Sequence, residues 1–217
     1  GMSAKPRRQP KERPPDPRAA GAPWRLFIAV AMPPEAQALV GRIVASLDAD
    51  APVRWTAAGS NHLTLHFLGE VDPSRAELLR LAFPSFTRGQ RPFDLQTGAL
   101  GCFPESGPPK VAWLGLAGET RALTALHRSV GRQLVQFAIE PEARAFRPHI
   151  TLGRMRAEAT PAQALALRAH LLDPGLNQRA LDDSVVIPVD AIYLMRSYLG
   201  RAGAHYETVA TARLHRV

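Results

Sequence analysis

Residues 25–32 read Arg-Leu-Phe-Ile-Ala-Val-Ala-Met, an apolar run closed by Pro33 and Pro34. A short run of this kind suits a buried strand. Leu39, Val40, Ile43, Val44 and Leu47 then recur at helical spacing and predict a helix over 35–47. Residues 61–68 alternate apolar and polar positions and predict a strand ended by Gly69. A helix is expected over 73–83, with Pro73 in its first turn. Strands over 93–97 and 111–116 flank a loop, 101–109, that is rich in turn formers. Leu123, Leu126, Val130 and Leu134 give the clearest apolar stripe, on a helix over 119–137. A strand over 147–155, a helix over 161–172, an irregular stretch through Asp183 and strands over 191–198 and 206–214 complete the pattern.

Strand–helix–strand–helix appears once in each half of this order, which predicts a mixed fold of two similar lobes. A doubly wound nucleotide-binding sheet is disfavoured, because no Gly-rich loop joins a strand to a helix.

Two of the strands carry the same short motif. One is His62-Leu63-Thr64-Leu65, the other His149-Ile150-Thr151-Leu152. Side chains alternate faces along a strand. Leu63, Leu65 and Phe67 should therefore face inward, with His62 and Thr64 outward; Ile150 and Leu152 repeat the inward set, His149 and Thr151 the outward. Two such strands brought together would offer two proton-transfer groups and two hydroxyl donors around one cleft. In-line displacement at a phosphodiester asks for that set: a base for the nucleophile, an acid for the leaving oxygen, and donors for the phosphoryl oxygens.

Other chemistries fit less well. Zinc would have to use His62, His66 and His149, yet His62 and His66 lie roughly 13 Å apart on an ideal strand, far beyond the ~2 Å reach of a zinc–nitrogen bond. There is no Cys-x-x-Cys, no His-Glu-x-x-His and no Gly-x-Ser-x-Gly. His66 shares a face with His62 and is a candidate for the far end of the cleft. His127, His170, His205 and His215 read as surface residues. Arg154, three residues beyond Thr151, could grip a phosphate in bidentate fashion or stand solvated beside Arg156. Arg54 and Lys110 are weaker candidates of the same kind.

Charge changes the picture at one end. The 217 residues carry a net +8. Residues 1–22 hold six basic residues against Glu12 and Asp16, so about half of that charge sits in them. They also hold five prolines between residues 6 and 17 and almost no large apolar side chain, which predicts a disordered basic tail followed by a single domain over 23–217. Such charge favours polyanions, RNA among them, although a tail that only aids solubility explains it as well. The single Cys102 rules out an internal disulfide and fits a reducing compartment. No run is long and apolar enough to span a bilayer, and no signal peptide is evident. A cytoplasmic monomer is expected.

The chain resembles the two-histidine (2H) phosphoesterase superfamily, and within it the RNA 2′,3′-cyclic phosphodiesterases, also called 2′-5′ RNA ligases. The paired His-x-Thr motifs carry the likeness. It extends to Arg25–Val30 with Pro33-Pro34-Glu35, to Arg54-Trp55, to Phe67 through Val71, to Phe103-Pro104, to Val111–Leu116, and to Ser197, Gly203 and Tyr206. The resemblance implies a bilobal α+β fold with pseudo-two-fold symmetry, two antiparallel sheets lining a central groove and helices outside. It implies hydrolysis of RNA 2′,3′-cyclic phosphate ends to 2′-phosphomonoesters, with no cofactor and no metal, and reverse 2′-5′ ligation by the same site. His62 and His149 would be the acid–base pair, with the family leaning to His62 as acid. Thr64 and Thr151 would hold the phosphoryl oxygens, and Arg154 matches a basic position near the phosphate. His66 departs from the Lys or Arg more usual at its position. Two alternatives stay open: the same chemistry on a small cyclic-phosphate nucleotide, and a non-catalytic RNA-binding module.

Overall fold

The computed structural model describes residue 16 and residues 18–47, 50–140, 142–200 and 203–216. Most of the expected tail, residues 1–15 and 17, lies outside these. In chain order the elements are β1 (Trp24–Val30), α1 (Pro34–Ser46), β2 (Val53–Trp55), β3 (Leu63–Val71), α2 (Pro73–Ala82), β4 (Phe93–Phe103), β5 (Val111–Gly118), α3 (Thr120–Leu134), β6 (Ile150–Met155), α4 (Pro161–Leu171), α5 (Pro174–Asp182), β7 (Val186–Val189), β8 (Ala191–Gly200) and β9 (Gly203–Arg213).

The strands run in the order β7-β4-β5-β6-β3-β1-β8-β9, with β2 added on β6. Every pairing is antiparallel. Each half of that order is a four-stranded sheet, and the two join through one residue pair, Leu63 of β3 with Ile150 of β6. With the short β2 set aside, the order β1-α1-β3-α2 recurs as β5-α3-β6-α4, so the two His-x-Thr strands are equivalent and meet at the centre. This is the expected two-lobed α+β architecture, curled so that the sheets meet along their shared edge.

The core follows from the apolar periodicities. Leu39, Val40 and Ile43 of α1 and Leu123, Leu126, Val130 and Leu134 of α3 are buried in one cluster with Leu26, Ile28 and Val30 of β1 and Leu63 and Leu65 of β3. Helix starts are held chemically. Asp72 accepts the Arg75 N–H ahead of α2, and Thr160 forms a capping box with Gln163 ahead of α4.

Three elements escape the sequence pattern. Pro174, Gly175 and Asn177 read as turn formers, yet they open α5: proline is tolerated in a first turn, and Asp173 caps the Leu176 N–H at 2.9 Å. Asn177 then turns outward from the helix, its Oδ1 accepting the Leu100 N–H at 2.8 Å where β4 loses register with β5. β2 and β7 have three and four residues, too short to show a period. Pro188 in β7 is accommodated because that strand lies at the sheet edge.

β3 is longer than expected and its alternation breaks. Against β1 the register skips Leu65 and Leu68, with Ala29 opposite Thr64, Ile28 opposite His66 and Phe27 opposite Phe67. An extra residue in one strand flips every side chain after it. His66 is thereby turned inward at 4% exposure and Phe67 outward at 55%. The inward assignment of Phe67 and the outward one of His66 are both overturned. Gly69, expected to end the strand, instead takes φ +67° inside it, a conformation glycine adopts without strain.

Candidate active site

Leu63 and Ile150 pair directly and are fully buried. Their neighbours must therefore face the opposite side of the sheet, which is the groove. Carried one residue further each way, the antiparallel register of that pair would set His62 opposite Thr151 and Thr64 opposite His149. On that register the two histidines would be diagonal neighbours, roughly 7–8 Å apart at Cα. All four side chains are half-buried.

The two histidines are oriented alike. His62 Nδ1 lies 3.3 Å from the Ser60 carbonyl and His149 Nδ1 2.7 Å from the Arg147 carbonyl. A carbonyl oxygen only accepts, so each Nδ1 carries the proton. Each Nε2 is left to act on a ligand, as an acceptor when the ring is neutral and a donor when it is charged. Both rings have pKa values lowered, chiefly by burial. At His149 the charges of Arg154 and Arg147 lower it further, while each carbonyl bond works the other way. At His62 the causes among the described residues are burial and the Ser60 bond.

Aromatic rings frame each imidazole. Phe27 stacks on His62 at 4.8 Å between centroids, and Tyr206 meets it edge-on at 5.3 Å. Phe103 meets His149 edge-on at 5.0 Å, with Trp113 at 6.4 Å. Trp113 lies flat on Gly101, where an added Cβ would stand 2.2 Å from the indole. These rings were not singled out as site residues from sequence. The signal available was their place on the outward parity of strands flanking the motifs.

Arg154 reaches the groove through a bulge. On an ideal strand a residue three beyond Thr151 would face the other way. Here Trp113 pairs with Thr151 and Ala112 with Gly153, so Leu152 is an extra residue in β6. Arg154, opposite Val111, consequently shares the face of Thr151 and Trp113.

Asn61 was also missed. It is 6% exposed, and its Nδ2 donates to the Thr151 carbonyl at 3.1 Å. Its own carbonyl accepts from Gln37 Nε2 of α1 at 2.6 Å. The residue before one motif thus holds the backbone of the other.

His66 has no place in the groove. Its Nε2 donates to the His127 carbonyl at 2.8 Å, and its ring stacks on His127 at 4.0 Å, which stacks in turn on Phe146 at 3.8 Å. The bulge at Leu65 is the cause. His127, expected at the surface, is half-buried in this stack, whereas His170, His205 and His215 are exposed as expected. Among the described residues, no three His, Cys, Asp or Glu side chains gather as a metal site, and no helix is long and apolar enough to cross a membrane.

The family model for the 2′-5′ RNA ligase superfamily matches residues 26–201, both motifs included. The chain belongs to this superfamily. Among its curated relatives, the RNA 2′,3′-cyclic phosphodiesterase of Aeropyrum pernix is 33% identical over 179 residues, covering 79% of this chain and 94% of the relative. The protein of the same name from Geobacillus stearothermophilus is 32% identical over 185 residues. That match covers 85% of this chain, and the chain spans only 55% of the longer Geobacillus protein. Among solved structures, Escherichia coli LigT complexed with 3′-AMP superposes with a TM-score of 0.67 at 28% identity, covering 89% of this chain and 99% of that one. A structure described as a phosphoesterase gives 0.69 at 29% identity, with the same coverage. Membership in this superfamily, with relatives so named, makes the chain an enzyme of the cyclic phosphodiesterase type.

Proposed function

We propose that this protein opens RNA 2′,3′-cyclic phosphates to 2′-phosphomonoesters with His62 and His149 as the acid–base pair. The observation that carries the reading is the matched anchoring of the two rings. On neighbouring strands, each Nδ1 is tied to the carbonyl two residues upstream, and each Nε2 is left for the substrate. The names of the relatives from Aeropyrum and Geobacillus support the substrate class.

The asymmetry between the rings supports an assignment of roles. Arg154 and Arg147 favour the neutral form of His149, which suits the base; His62 then serves as the acid. His149 Nε2 takes a proton from water as the water oxygen bonds to phosphorus. The P–O3′ bond breaks on the opposite side, and His62 Nε2–H delivers its proton to O3′. Thr64 and Thr151 donate to the equatorial oxygens as charge builds on them, and Arg154 holds the phosphate by charge-assisted hydrogen bonds. Imidazole can serve in both protonation states near neutral pH. The same displacement with a 5′-hydroxyl in place of water would form a 2′-5′ linkage, O3′ again leaving, and the abundance of water favours hydrolysis.

The test is turnover of a 2′,3′-cyclic-phosphate oligonucleotide in the presence of EDTA by wild type, His62→Ala and His149→Ala. Each substitution should cost about 10²–10⁴-fold with the fold retained. Wild-type rates in either variant, or abolition of activity by EDTA, would refute the scheme.

A further inference from the structure

Beyond Thr151 the groove runs into a patch of positive charge of which the chemistry above uses Arg154 alone. Arg54 of β2 stands directly opposite Arg154 of β6. Arg156 follows at the end of β6, its N–H bonded to the Pro52 carbonyl at 2.8 Å. Lys110 lies just before β5, opposite Met155, whose N–H its carbonyl accepts at 2.8 Å; its Cβ takes the face opposite to Arg154, and its exposed side chain stands at the strand end beside the pair. All four side chains are exposed. Among the described residues none of the four forms an ion pair, unlike Arg75, Arg80 and Arg147, which sit against Asp72, Glu77 and Glu105.

An opposed Arg–Arg pair is a cost to the sheet. Directly facing residues stand about 4.5–5.5 Å apart at Cβ, and like charges there are destabilising. Among the described residues no acidic side chain forms an ion pair with either member. An anion lying between the guanidinium groups would turn the repulsion into two charge-assisted contacts. The anion's place is set by register, because Arg154 shares a face with Thr151. The other end of the groove differs: in the β3–β1–β8–β9 half, Arg25 is flanked in register by Glu70 and by Ser197, which pairs with Tyr206.

We infer that Arg54 and Arg154, with Lys110 and Arg156, form a second phosphate subsite for the RNA backbone. The inference rests on the reading under Proposed function. A cyclic phosphate closes the 3′ end of a strand, so every further phosphate lies on its 5′ side. The subsite therefore takes the phosphates upstream of the terminal nucleoside, and the strand leaves the groove across the β2–β6–β5 end. Arg154 stands between the reacting phosphate and the first of these. The surface favours an oligonucleotide over a small cyclic nucleotide.

The experiment compares wild type with Arg54→Ala, Lys110→Ala, Arg156→Ala and the triple variant on two substrates. One is a cyclic-phosphate oligonucleotide, the other a nucleoside 2′,3′-cyclic phosphate with no upstream phosphate. The ratio of kcat/KM for the first over the second should fall in the triple variant by roughly tenfold or more, the scale of one lost charge-assisted contact. Binding of a single-stranded oligonucleotide, followed by anisotropy across a salt series, should lose about 0.7 from its log–log slope per phosphate contact removed. Arg54→Glu should lower the ratio further, since its carboxylate would pair with Arg154. Thermal melting should stay at or above wild type, because a repulsion is removed. An unchanged ratio and an unchanged salt slope in the triple variant would overturn the subsite. If wild type turned over neither substrate, the reading under Proposed function would fall, while the salt slope would still decide whether the patch binds a nucleic-acid backbone.

Discussion

Replacing Asn61 by Asp keeps the shape of the side chain and removes its donor. In the protein, Asn61 Nδ2 gives its hydrogen bond to the Thr151 carbonyl at 3.1 Å, in a site 6% exposed. Among the described residues the other side-chain donor to that carbonyl is the Thr56 hydroxyl, at a long 3.4 Å. Asn61→Ala leaves a buried acceptor short of its partner, at about 1–3 kcal/mol. For a chain of this size each kcal/mol moves Tm by roughly 2–4 °C, so the Ala variant should melt about 2–12 °C lower. Asn61→Asp should melt lower still, because a carboxylate oxygen would face a carbonyl oxygen. Its deficit should shrink in acid as the carboxyl gains a proton to donate. Activity should fall as well, since the lost bond ties the residue before His62 to the residue that carries the Thr151 hydroxyl. Displacement of a catalytic group by about 1 Å can cost on the order of 10²-fold, and kcat/KM should drop towards that scale below the melting transition. Calorimetry and steady-state kinetics on the two variants decide it. An Asp variant that melts and turns over like wild type would show that the bond does not position the motifs.

Two further outcomes follow from the titrating groups. Burial holds both His62 and His149 below the ordinary imidazole value of 6.5, so both limbs of the kcat/KM profile should fall below that value and the optimum on the acid side of neutrality; an optimum above pH 7 contradicts this. His127 is pushed down to about 4, mainly by burial and then by the charges of His66 and Arg128, and His66 is lowered by burial. Because the folded values lie below the unfolded ones, the stability these rings contribute is present above pH 6.5 and is lost as pH falls towards 4. Tm should decline across that window, and His127→Phe, which keeps the ring stack, should flatten the decline; parallel curves for wild type and variant would refute the assignment.

The parts legible in the sequence are those fixed by long periodicities. The stripe of α3 and the alternation around Leu63 and Ile150 gave the two motif strands and their buried backs directly. What the sequence hid were single-residue departures from period. The extra Leu65 in β3 sent His66 inward and Phe67 outward. The extra Leu152 in β6 brought Arg154 onto the groove face, where ideal alternation would have turned it away. A bulge is a property of pairing between strands and leaves no mark in one strand's own pattern. Asn61 and Gln37 were hidden for a related reason, since their partners lie 90 and 24 residues away in the chain. α5 was masked by residues that serve a helix start and a turn equally well.

The central claim is in-line opening of a cyclic phosphate with O3′ as the leaving group, and the product isomer tests it most directly. Purified protein is incubated with an oligonucleotide ending in a 2′,3′-cyclic phosphate, and the end group is identified by ³¹P NMR. The account predicts a 2′-phosphomonoester from wild type and an intact cyclic phosphate from His62→Ala and His149→Ala. A 3′-phosphomonoester, or the same product at the same rate from either variant, would contradict it.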